Sequence, residues 1–270
     1  MSFSIAGKTA IVTGAANGIG LAVARHFADQ GANVMFADID EAGLIEEVGD
    51  AAKQDDSNVR YFHGDLREKL TLANLLSATV DAFDRVDVLI NASRQFISSD
   101  PLDLDDTSLD TLLQQNLMTS YRLSQVIARR MISQAEKEGN EDGQVGSIVN
   151  LSSIASCRTH CDLLAYSVST AALDQMTRSM AVALASHRIR VNSVAFGSVM
   201  SASLQASLRE EEDIRTDILA STPLGRIASA SEVAEAAQFL ASEGAEFMTG
   251  QIITVDGGRT LIDSASTPAH

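Results

Sequence analysis

The residues best suited to chemistry are a serine and a tyrosine, Ser153 and Tyr166, which lie thirteen positions apart. A tyrosine hydroxyl can exchange a proton with a substrate oxygen, but an unperturbed phenol has a pKa of about 10 and is a poor base at neutral pH. A neighbouring cation favours the phenolate. Thr170 lies four residues after Tyr166, on the same face of a helix, where it supplies a hydroxyl but no charge.

A glycine-rich turn follows the first apolar run of the chain, Thr9 to Val12, and opens a segment with helical character. Glycines at such a turn let the backbone bend tightly, and backbone N–H groups at the start of a helix bind a pyrophosphate. The turn alone is a weak signal, but the strand before it and the helix after it strengthen the signal. The predicted cofactor contacts in this turn are Gly14, Asn17, Gly18, Ile19 and Gly20.

Asp38 ends the second apolar run, close to the offset of about 20 residues at which an acidic side chain meets the ribose of a dinucleotide. A carboxylate there accepts hydrogen bonds from the ribose hydroxyls and repels a 2′-phosphate. Neither the turn from Gly14 to Gly20 nor the positions directly after Asp38 hold an arginine or a lysine. The pattern predicts NAD rather than NADP, the alternative being that Asp38 serves as a helix N-terminal residue.

Short β-branched segments alternate with longer helical ones along the chain. The predicted strands lie at residues 9–12, 33–37, 59–63, 86–90, 147–151, 190–194 and 252–255. The predicted helices lie near residues 18–30, 41–53, 68–84, 106–138, 162–186 and 231–241. Strands that are apolar throughout and separated by helices indicate a parallel sheet covered on both faces. Right-handed crossovers then give an α/β, doubly wound, Rossmann-type fold of three layers.

The chain of 270 residues contains no stretch that resembles a linker and has three prolines, so we predict a single domain over residues 1–270. Residues 139–144 are predicted to form a surface loop. Residues 197–222 are predicted to be an irregular segment that covers the site and determines the substrate. Residues 263–270 are predicted to be a frayed tail.

The formal net charge of −16 argues against nucleic acid and anionic membranes as partners. No apolar run approaches the roughly 18 residues of a membrane-spanning helix, and the N-terminus lacks the apolar region of a signal peptide. Cys157 and Cys161 lie beside His160, but the cluster offers too few ligands for a metal site and too short a spacing for a disulfide. We therefore expect a cytoplasmic protein with two reduced thiols and no metal.

Together these features resemble the short-chain dehydrogenase/reductase family, and the resemblance covers nearly the whole chain. The stretches that carry it are the glycine turn from Thr13 to Gly20, the adenine-contacting turn Gly64-Asp65-Leu66, the segment Ile90-Asn91-Ala92-Ser93, the serine strand Asn150-Leu151-Ser152-Ser153, and the late strands at 190–194 and 249–258. The spacing from Ser153 to Tyr166 also agrees with that family. The resemblance implies a dinucleotide-binding fold and hydride-transfer chemistry.

The resemblance also implies a role for individual residues. In the mechanism of that family, Tyr166 exchanges a proton with the substrate oxygen, Ser153 hydrogen-bonds that oxygen, and Asn116 holds a water of the proton relay. Further cofactor contacts are implied at Asp65, Leu66, Asn91, Ala92, Tyr166, Thr170 and Val199. Without the resemblance, Ser153 could be an ordinary strand-end serine and Asn116 an ordinary residue of a helix face.

Three positions near the expected cofactor differ from the family pattern. Thr170 replaces the lysine that binds the nicotinamide ribose and favours the phenolate in this family. Ser93 replaces a glycine, and Phe196 replaces the proline of a Pro-Gly pair that precedes the substrate loop. Arg94 and Arg158 lie in loops near the site and are candidates for restoring the charge, unless they are ordinary surface arginines. The sequence therefore predicts low turnover that rises with pH, and a gain near neutral pH when Thr170 is replaced by lysine.

Three functional hypotheses remain open from the sequence. The first is a NAD-dependent oxidoreductase that interconverts a secondary alcohol and a ketone. The second is a protein that binds NAD(H) but turns over weakly or not at all, as a sensor or assembly subunit. The third is a non-redox lyase or dehalogenase, which the intact cofactor turn disfavours. Candidate residues for an apolar pocket wall, or simply for loop anchors, are Phe96, Phe196, Val199, Met200 and Leu204, and they name no substrate.

The two longest predicted helices, residues 106–138 and 162–186, have apolar residues on more than one face. These residues are Leu112, Leu113, Leu117, Val126, Ile127, Met176, Met180 and Val182. A helix that covers one face of a sheet needs a single apolar stripe, so the excess indicates a second buried surface. Members of the resembled family commonly pair through these helices. We therefore expect a homodimer or homotetramer that acts on a small-molecule substrate.

Overall fold

The computed structural model describes residues 3–201, 204–205, 208–209 and 212–263. The strands within these residues are β1 (Thr9–Thr13), β2 (Asn33–Asp38), β3 (Val59–His63), β4 (Val88–Asn91), β5 (Gly146–Ser153), β6 (Ile189–Phe196) and β7 (Ile252–Val255). They form one sheet in the order β3-β2-β1-β4-β5-β6-β7, and every pairing is parallel. The strand order reverses between β1 and β4, and ligands of such sheets bind in the crevice at the carboxyl ends of the strands there.

Helices cover both faces of this sheet. The α-helices of the described residues are α1 (Gly18–Asp29), α2 (Glu41–Val48), α3 (Lys69–Phe83), α4 (Ser108–Leu112), α5 (Thr119–Glu138), α6 (Leu164–Leu184), α7 (Glu212–Ala220) and α8 (Ala230–Ala241). A π-helical turn, Leu113–Met118, joins α4 to α5. None of the helices in the described part of the chain is long and apolar enough to cross a membrane.

The core lies in two apolar layers, one on each face of the sheet. Successive side chains of a strand point to opposite faces, so Val12 of β1 packs with Phe27 of α1 and Leu240 of α8. Ile11, its neighbour on β1, packs on the other face with Ile127 of α5 and other residues of α3, α5 and α6. Two helical layers on one parallel sheet make a three-layer, doubly wound, Rossmann-type fold, as the sequence predicted.

A network of buried polar side chains ties the middle of the sheet to two helices. Asn91 donates from Nδ2 to Ser124 Oγ of α5 at 3.0 Å and to Asn150 Oδ1 of β5 at 2.8 Å. Asn150 in turn donates from its own Nδ2 to Thr177 Oγ1 of α6 at 2.8 Å. All four side chains are buried. Because buried polar groups are costly unless hydrogen-bonded, this network fixes β4, β5, α5 and α6 relative to one another.

The helix predicted near residues 106–138 is present over residues 108–138, and a π-helical turn widens it at Leu113–Met118. The Oγ1 of Thr119 donates to the carbonyl of Gln114, five residues earlier, at 3.1 Å, and the Oγ of Ser120 donates to the carbonyl of Asn116 at 3.0 Å. The wide turn directs the Asn116 side chain toward the segment that follows β4. Such π-turns occur frequently at functional sites.

Two other predicted elements also differ from the structure. The helix predicted over residues 41–53 ends at Val48, and a separate 3-10 turn covers Ala51–Lys53. Gly49 follows Val48 directly, and glycine has a low helix propensity. The segment 197–222, predicted to be irregular, contains α7, whose one well-buried apolar side chain is Ile218 among the residues described there. Most of the predicted frayed tail, residues 264–270, lies outside the described residues.

Candidate active site

The glycine turn lies at the carboxyl end of β1, where close backbone contacts require glycine at two positions. Gly14 has a φ of +66°, and a Cβ built there would lie 2.9 Å from the Cα of Ser93. A Cβ on Gly20 would lie 2.0 Å from the carbonyl oxygen of Gly14. A side chain fits at neither position, so the turn packs directly against the segment that follows β4.

The first turn of α1 offers N–H groups that no side chain caps. Asn17, at the N-cap, has an extended backbone and makes no side-chain cap hydrogen bond. A Cβ added to Gly18 would meet no described atom within 4 Å, so the space beside it is open. Ile19 and Gly20 are buried behind this surface. The first N–H groups of a helix lack intrahelical partners and attract an anion, so the turn fits the pyrophosphate of a dinucleotide.

Asp38 is fixed beside this turn by hydrogen bonds from two backbone N–H groups. Its Oδ2 accepts from the N–H of Ala16 at 2.9 Å, and its Oδ1 accepts from the N–H of Asp40 at 3.0 Å. Asp38 lies two residues before Asp40, which is the N-cap of α2 and accepts from the N–H of Gly43 at 3.1 Å. The Asp38 carboxylate is thus fixed at the edge of the glycine turn.

The two residues predicted to contact an adenine differ in what they expose. The carboxylate of Asp65 pairs with the Arg67 guanidinium at 2.6 Å, and this hydrogen bonding lowers the pKa of Asp65. The Leu66 side chain is buried against the core. Asp65 therefore already has an ionic partner within its own turn, and the Leu66 side chain is a core residue.

The end of β4 is joined to the end of β1 through one hydroxyl. Thr13 Oγ1 accepts from the backbone N–H groups of Ala92 and Ser93, each at 3.0 Å. The side-chain amide nitrogen of Asn91 points into the core, where it donates to Ser124 and Asn150. Gln115 donates to the Oγ of Ser93 at 3.1 Å. The predicted cofactor residues Asn91 and Ala92 therefore lie at the carboxyl end of β4, and the Asn91 amide nitrogen is engaged in hydrogen bonds.

Tyr166 is buried on α6 with its hydroxyl bonded to an arginine. Arg94 donates from Nη1 to Tyr166 Oη at 2.9 Å. The ring of Phe96 meets the ring of Tyr166 edge-on, with centroids 5.1 Å apart and an interplanar angle of 66°. Tyr166 is 4% exposed and Phe96 is 64% exposed, so Phe96 covers the tyrosine from the solvent side.

The same arginine lies over Phe196, at the end of β6. The Arg94 Cζ is 4.1 Å from the centroid of the Phe196 ring, a cation–π contact worth about 0.5–2 kcal/mol, depending on solvent exposure. Phe196 is the pairing partner of Ser153 in the ladder between β6 and β5. Ser153 Oγ accepts from the N–H of Ala155 at 3.2 Å. Arg94 thus connects the tyrosine to the strand ends that position the serine.

Asn116 braces the segment that carries Arg94. Its Oδ1 accepts from the N–H of Gln95 at 2.8 Å, and its Nδ2 donates to the carbonyl of Gln95 at 3.0 Å. The same Nδ2 donates to Ser169 Oγ on α6 at 3.2 Å. Asn116 therefore joins the residue after Arg94 to the helix that carries Tyr166.

Thr170 and Val199 are both buried at the edges of this site. Thr170 Oγ1 donates to the helix carbonyls of Tyr166 and Ser167 at 3.0 and 3.1 Å, so it can offer a ribose only its lone pairs. Val199 forms an isolated parallel bridge with Ala228 and is 5% exposed. Neither residue brings a charge to Tyr166.

The loop around Cys157 and Cys161 lies at the surface. Both cysteines are free and exposed. His160 Nδ1 accepts from the N–H of Asp162 at 3.3 Å. Arg158 is exposed, and the contact that the described residues show for it is a hydrogen bond from its backbone N–H to Ile154. Of the two arginines named from the sequence, Arg94 is the one that contacts Tyr166.

The chain is similar to known proteins over nearly its whole length. The family model described as "Enoyl-(Acyl carrier protein) reductase" matches residues 14–260. The chain is 35% identical over 263 residues to cis-4-hydroxycyclohexanecarboxylate dehydrogenase of Sinomonas cyclohexanicum, a match that covers 97% of this chain and 100% of that protein. It is 32% identical over 259 residues to L-fucose dehydrogenase of Mus musculus, covering 94% of this chain and 89% of that protein.

A solved structure gives the same result. A 7α-hydroxysteroid dehydrogenase complexed with NADH and 7-oxo glycochenodeoxycholic acid matches with a TM-score of 0.85 and 29% identity, covering 95% of each chain. The chain belongs to the short-chain dehydrogenase/reductase family of oxidoreductases. The family predicted from the motifs is therefore confirmed.

Sequence analysis missed a buried carboxylate, Asp174, two helical turns after Tyr166 on α6. Burial raises the pKa of Asp174, while the Ser156 hydroxyl and the charge of Arg178 favour its ionised form. The hydrogen bonding of the carboxylate is incomplete, because Asp174 Oδ1 has no hydrogen-bond partner among the described residues. The nearby Ser152 Oγ has none there either. The available signal was its position in the sequence, since residues at i and i+8 share one helix face.

Replacing Asp174 with asparagine should stabilise the protein near neutral pH. The folded-state pKa lies above the ordinary value of 3.8, so the folded protein binds the proton more tightly. The unfolding free energy of the wild type therefore falls as pH rises from about 3.8 through the folded pKa. Asp174→Asn removes this dependence on pH. The free energy of unfolding near pH 7 should therefore rise by about 1 kcal/mol, which is the net contribution of one hydrogen bond.

Urea unfolding at several pH values measures this effect. Asp142→Asn, at an exposed aspartate in the loop before β5, is the control and should leave the curve of stability against pH unchanged. A difference between Asp174→Asn and wild type that is constant over the whole pH range would contradict the assignment.

Proposed function

We propose that the protein is a NAD(H)-dependent oxidoreductase that interconverts a secondary alcohol and a ketone, with Tyr166 as the proton-transfer group. The observation that carries the proposal is the placement of the buried Tyr166 hydroxyl and the open glycine turn at one edge of the sheet. The residues fit a dinucleotide, because the start of α1 is uncapped and the Asp38 carboxylate borders the turn. A bound nicotinamide supplies the hydride acceptor or donor for the substrate carbon.

The residues of the chain then orient the substrate and exchange its proton. Tyr166 Oη takes the hydroxyl proton of the alcohol, or returns it to the oxygen of the ketone. The Ser153 hydroxyl accepts from Ala155 and has no acceptor for its own proton among the described residues, so it is free to donate to the substrate oxygen. Asn116, expected to hold a water of the proton relay, also positions the Gln95 segment through its side chain.

The relatives support the substrate class. Their names denote dehydrogenases of a hydroxycyclohexanecarboxylate, of L-fucose and of a 7α-hydroxysteroid. A hydroxyl group on a ring carbon is common to the substrates so named, if L-fucose is taken in its cyclic form. We therefore propose a small molecule with a ring-borne secondary alcohol, and a panel of such alcohols with NAD⁺ is the direct assay.

One observation favours a second candidate function, a protein that binds NAD(H) with weak or no turnover. Thr170 brings no charge to Tyr166, and its hydroxyl proton is bonded to the helix backbone. Cofactor binding without turnover of any alcohol in the panel would support this function over the first.

NAD(H) should bind more tightly than NADP(H), because the fixed Asp38 carboxylate repels a 2′-phosphate. We expect at least a tenfold difference between the two dissociation constants, which corresponds to about 1.4 kcal/mol. Fluorescence titration with NADH and NADPH measures both constants. Asp38→Ala should narrow the gap, and Asp56→Ala, at an exposed loop position, should leave it unchanged. Equal or tighter binding of NADPH to the wild type would refute the NAD assignment.

Tyr166→Phe should abolish turnover while leaving cofactor affinity close to that of the wild type. General acid–base assistance is worth about 10²–10⁴-fold, so we expect kcat to fall within that range or below detection. Tyr61→Phe, which removes the hydroxyl of a tyrosine on β3, serves as the matched control. Retention of most of the activity by Tyr166→Phe would show that another group transfers the proton.

We also propose that the chain self-associates through α5 and α6. Leu112, Ile127 and Met180 are buried within the chain, so only part of the apolar excess noted in the sequence remains for an interface. That part includes Val182, which is 81% exposed. The lining of a groove between the two helices includes the apolar or aromatic residues Tyr121, Ala128, Ile132, Met176 and Leu184 and the polar residues Gln125 and Arg129.

Light scattering at micromolar concentration should show a dimer or a tetramer. Val182→Glu places a charge on the exposed apolar surface and should shift the mass toward the monomer, because burying an unpaired charge is costly. Leu70→Glu, at an exposed leucine of α3, is the control. A wild-type monomer under these conditions would rule out the proposal.

A further inference from the structure

Tyr166 contacts one charged side chain among the described residues, and that side chain belongs to a segment outside α6. Arg94, in the segment after β4, donates to the tyrosine hydroxyl. The other elements around Tyr166 present Leu112, Ala155 and Phe96, which are uncharged. The nearby titratable groups on other segments, Cys157, Arg158, His160, Cys161 and Asp162, are exposed in their own loop, and Asp174 lies two turns away on α6.

The position of Arg94 is determined by contacts on three sides. Its Nη1 is 2.9 Å from Tyr166 Oη, and its guanidinium carbon is 4.1 Å from the centre of the Phe196 ring. The next residue, Gln95, is held by two hydrogen bonds: its N–H donates to Asn116 Oδ1, and its carbonyl accepts from Asn116 Nδ2. No carboxylate pairs with Arg94 within the described part of the chain, so its positive charge is directed at the phenol oxygen.

We propose that Arg94 supplies the cation that stabilises the Tyr166 phenolate, and that Phe196 holds the guanidinium in place. This inference rests on the proposed function. In the oxidative direction, the substrate O–H bond breaks and its proton forms the phenol O–H of Tyr166. The electron pair of the broken substrate O–H bond forms the C=O bond, and the substrate carbon gives up a hydride, which a bound nicotinamide would accept. In reduction the same steps run in reverse and leave the phenolate beside Arg94. Arg94 is thus a positioning residue that acts through Tyr166.

The role of Arg94 changes what is expected of position 170. With a cation already bonded to the phenol oxygen, the wild type does not need a lysine there. Thr170→Lys should therefore change the pH–rate profile of the wild type little. Thr170→Lys should change the profile when Arg94 has been replaced by a neutral residue, because the new ammonium then supplies the missing charge.

Four variants test the proposal in the full-length protein with NAD⁺ and an active alcohol from the panel. Arg94→Gln should lower kcat near neutral pH by about 10-fold to 10³-fold and move the rising limb of the pH–rate profile to higher pH. Arg94→Lys should keep the profile close to that of the wild type. Arg94→Gln combined with Thr170→Lys should recover much of the loss. Arg158→Gln, at the exposed arginine of the neighbouring loop, is the matched control and should change nothing.

A measurement without substrate separates this inference from the proposed function. The ultraviolet absorbance of phenolate, recorded against pH for the wild type and for Tyr166→Phe, isolates Tyr166 among the three tyrosines of the chain. The Tyr166 phenolate should appear only at a higher pH in Arg94→Gln, even if no alcohol is turned over. Thermal unfolding confirms that each variant is folded.

The outcomes distinguish the two failures. If no alcohol is oxidised but Arg94→Gln moves the phenolate titration, the proposed function fails and the role of Arg94 stands. If folded Arg94→Gln leaves both the titration and the pH–rate profile unmoved, Arg94 is a surface arginine and the inference is overturned. Loss of activity in Arg94→Lys equal to that in Arg94→Gln, with no shift in either profile, would overturn it as well.

Discussion

A buried hydrogen bond between two asparagine side chains is the constraint on which the site depends. Asn91 and Asn150 are directly paired in the ladder between β4 and β5, and their side chains are joined at 2.8 Å. Arg94 lies three residues beyond Asn91, and Ser153 lies three residues beyond Asn150. A slip of this pairing by one residue would turn the side chains of one strand to the other face. The hydrogen bond between the two side-chain amides therefore fixes the register. The same network continues to Thr177 on α6, the rigid helix that carries Tyr166.

Much of the fold could be predicted from the sequence, because its signals are local. Each strand was recognised within a few residues, since apolar runs between helical segments indicate a buried parallel sheet. The glycine turn was found because a strand precedes it and a helix follows it. The π-helical turn was not found, because its cause is not local. It forms where Asn116 bonds to Gln95 and Ser169, which lie 21 and 53 residues away.

The candidate site was predicted less completely, for the same reason. The serine–tyrosine spacing reflects a connection from β5 to α6 and could be recognised along the chain. The contact between Arg94 and Tyr166 joins residues 72 positions apart, and only the assembled sheet brings them together. The sequence named Arg94 and Arg158 as equivalent candidates. The carboxyl ends of adjacent parallel strands meet at one edge, and that rule alone does not tell which arginine turns toward the helix.

The departures from the family pattern are physically consistent when they are considered around Arg94. A threonine at position 170 is well accommodated in a buried site, because its hydroxyl bonds to the helix carbonyls of Tyr166 and Ser167 and leaves no buried charge. A phenylalanine at position 196 offers the flat aromatic face over which a guanidinium lies, which a proline cannot do. Under our proposal the positive charge has moved from the helix to the loop after β4. Arg94 is exposed, and a charge on an exposed loop is screened more by solvent than one on a buried helix face. The cation–π contact and the Asn116 brace offset this by limiting the positions that Arg94 can take, so the two uncharged replacements and the arginine form one arrangement.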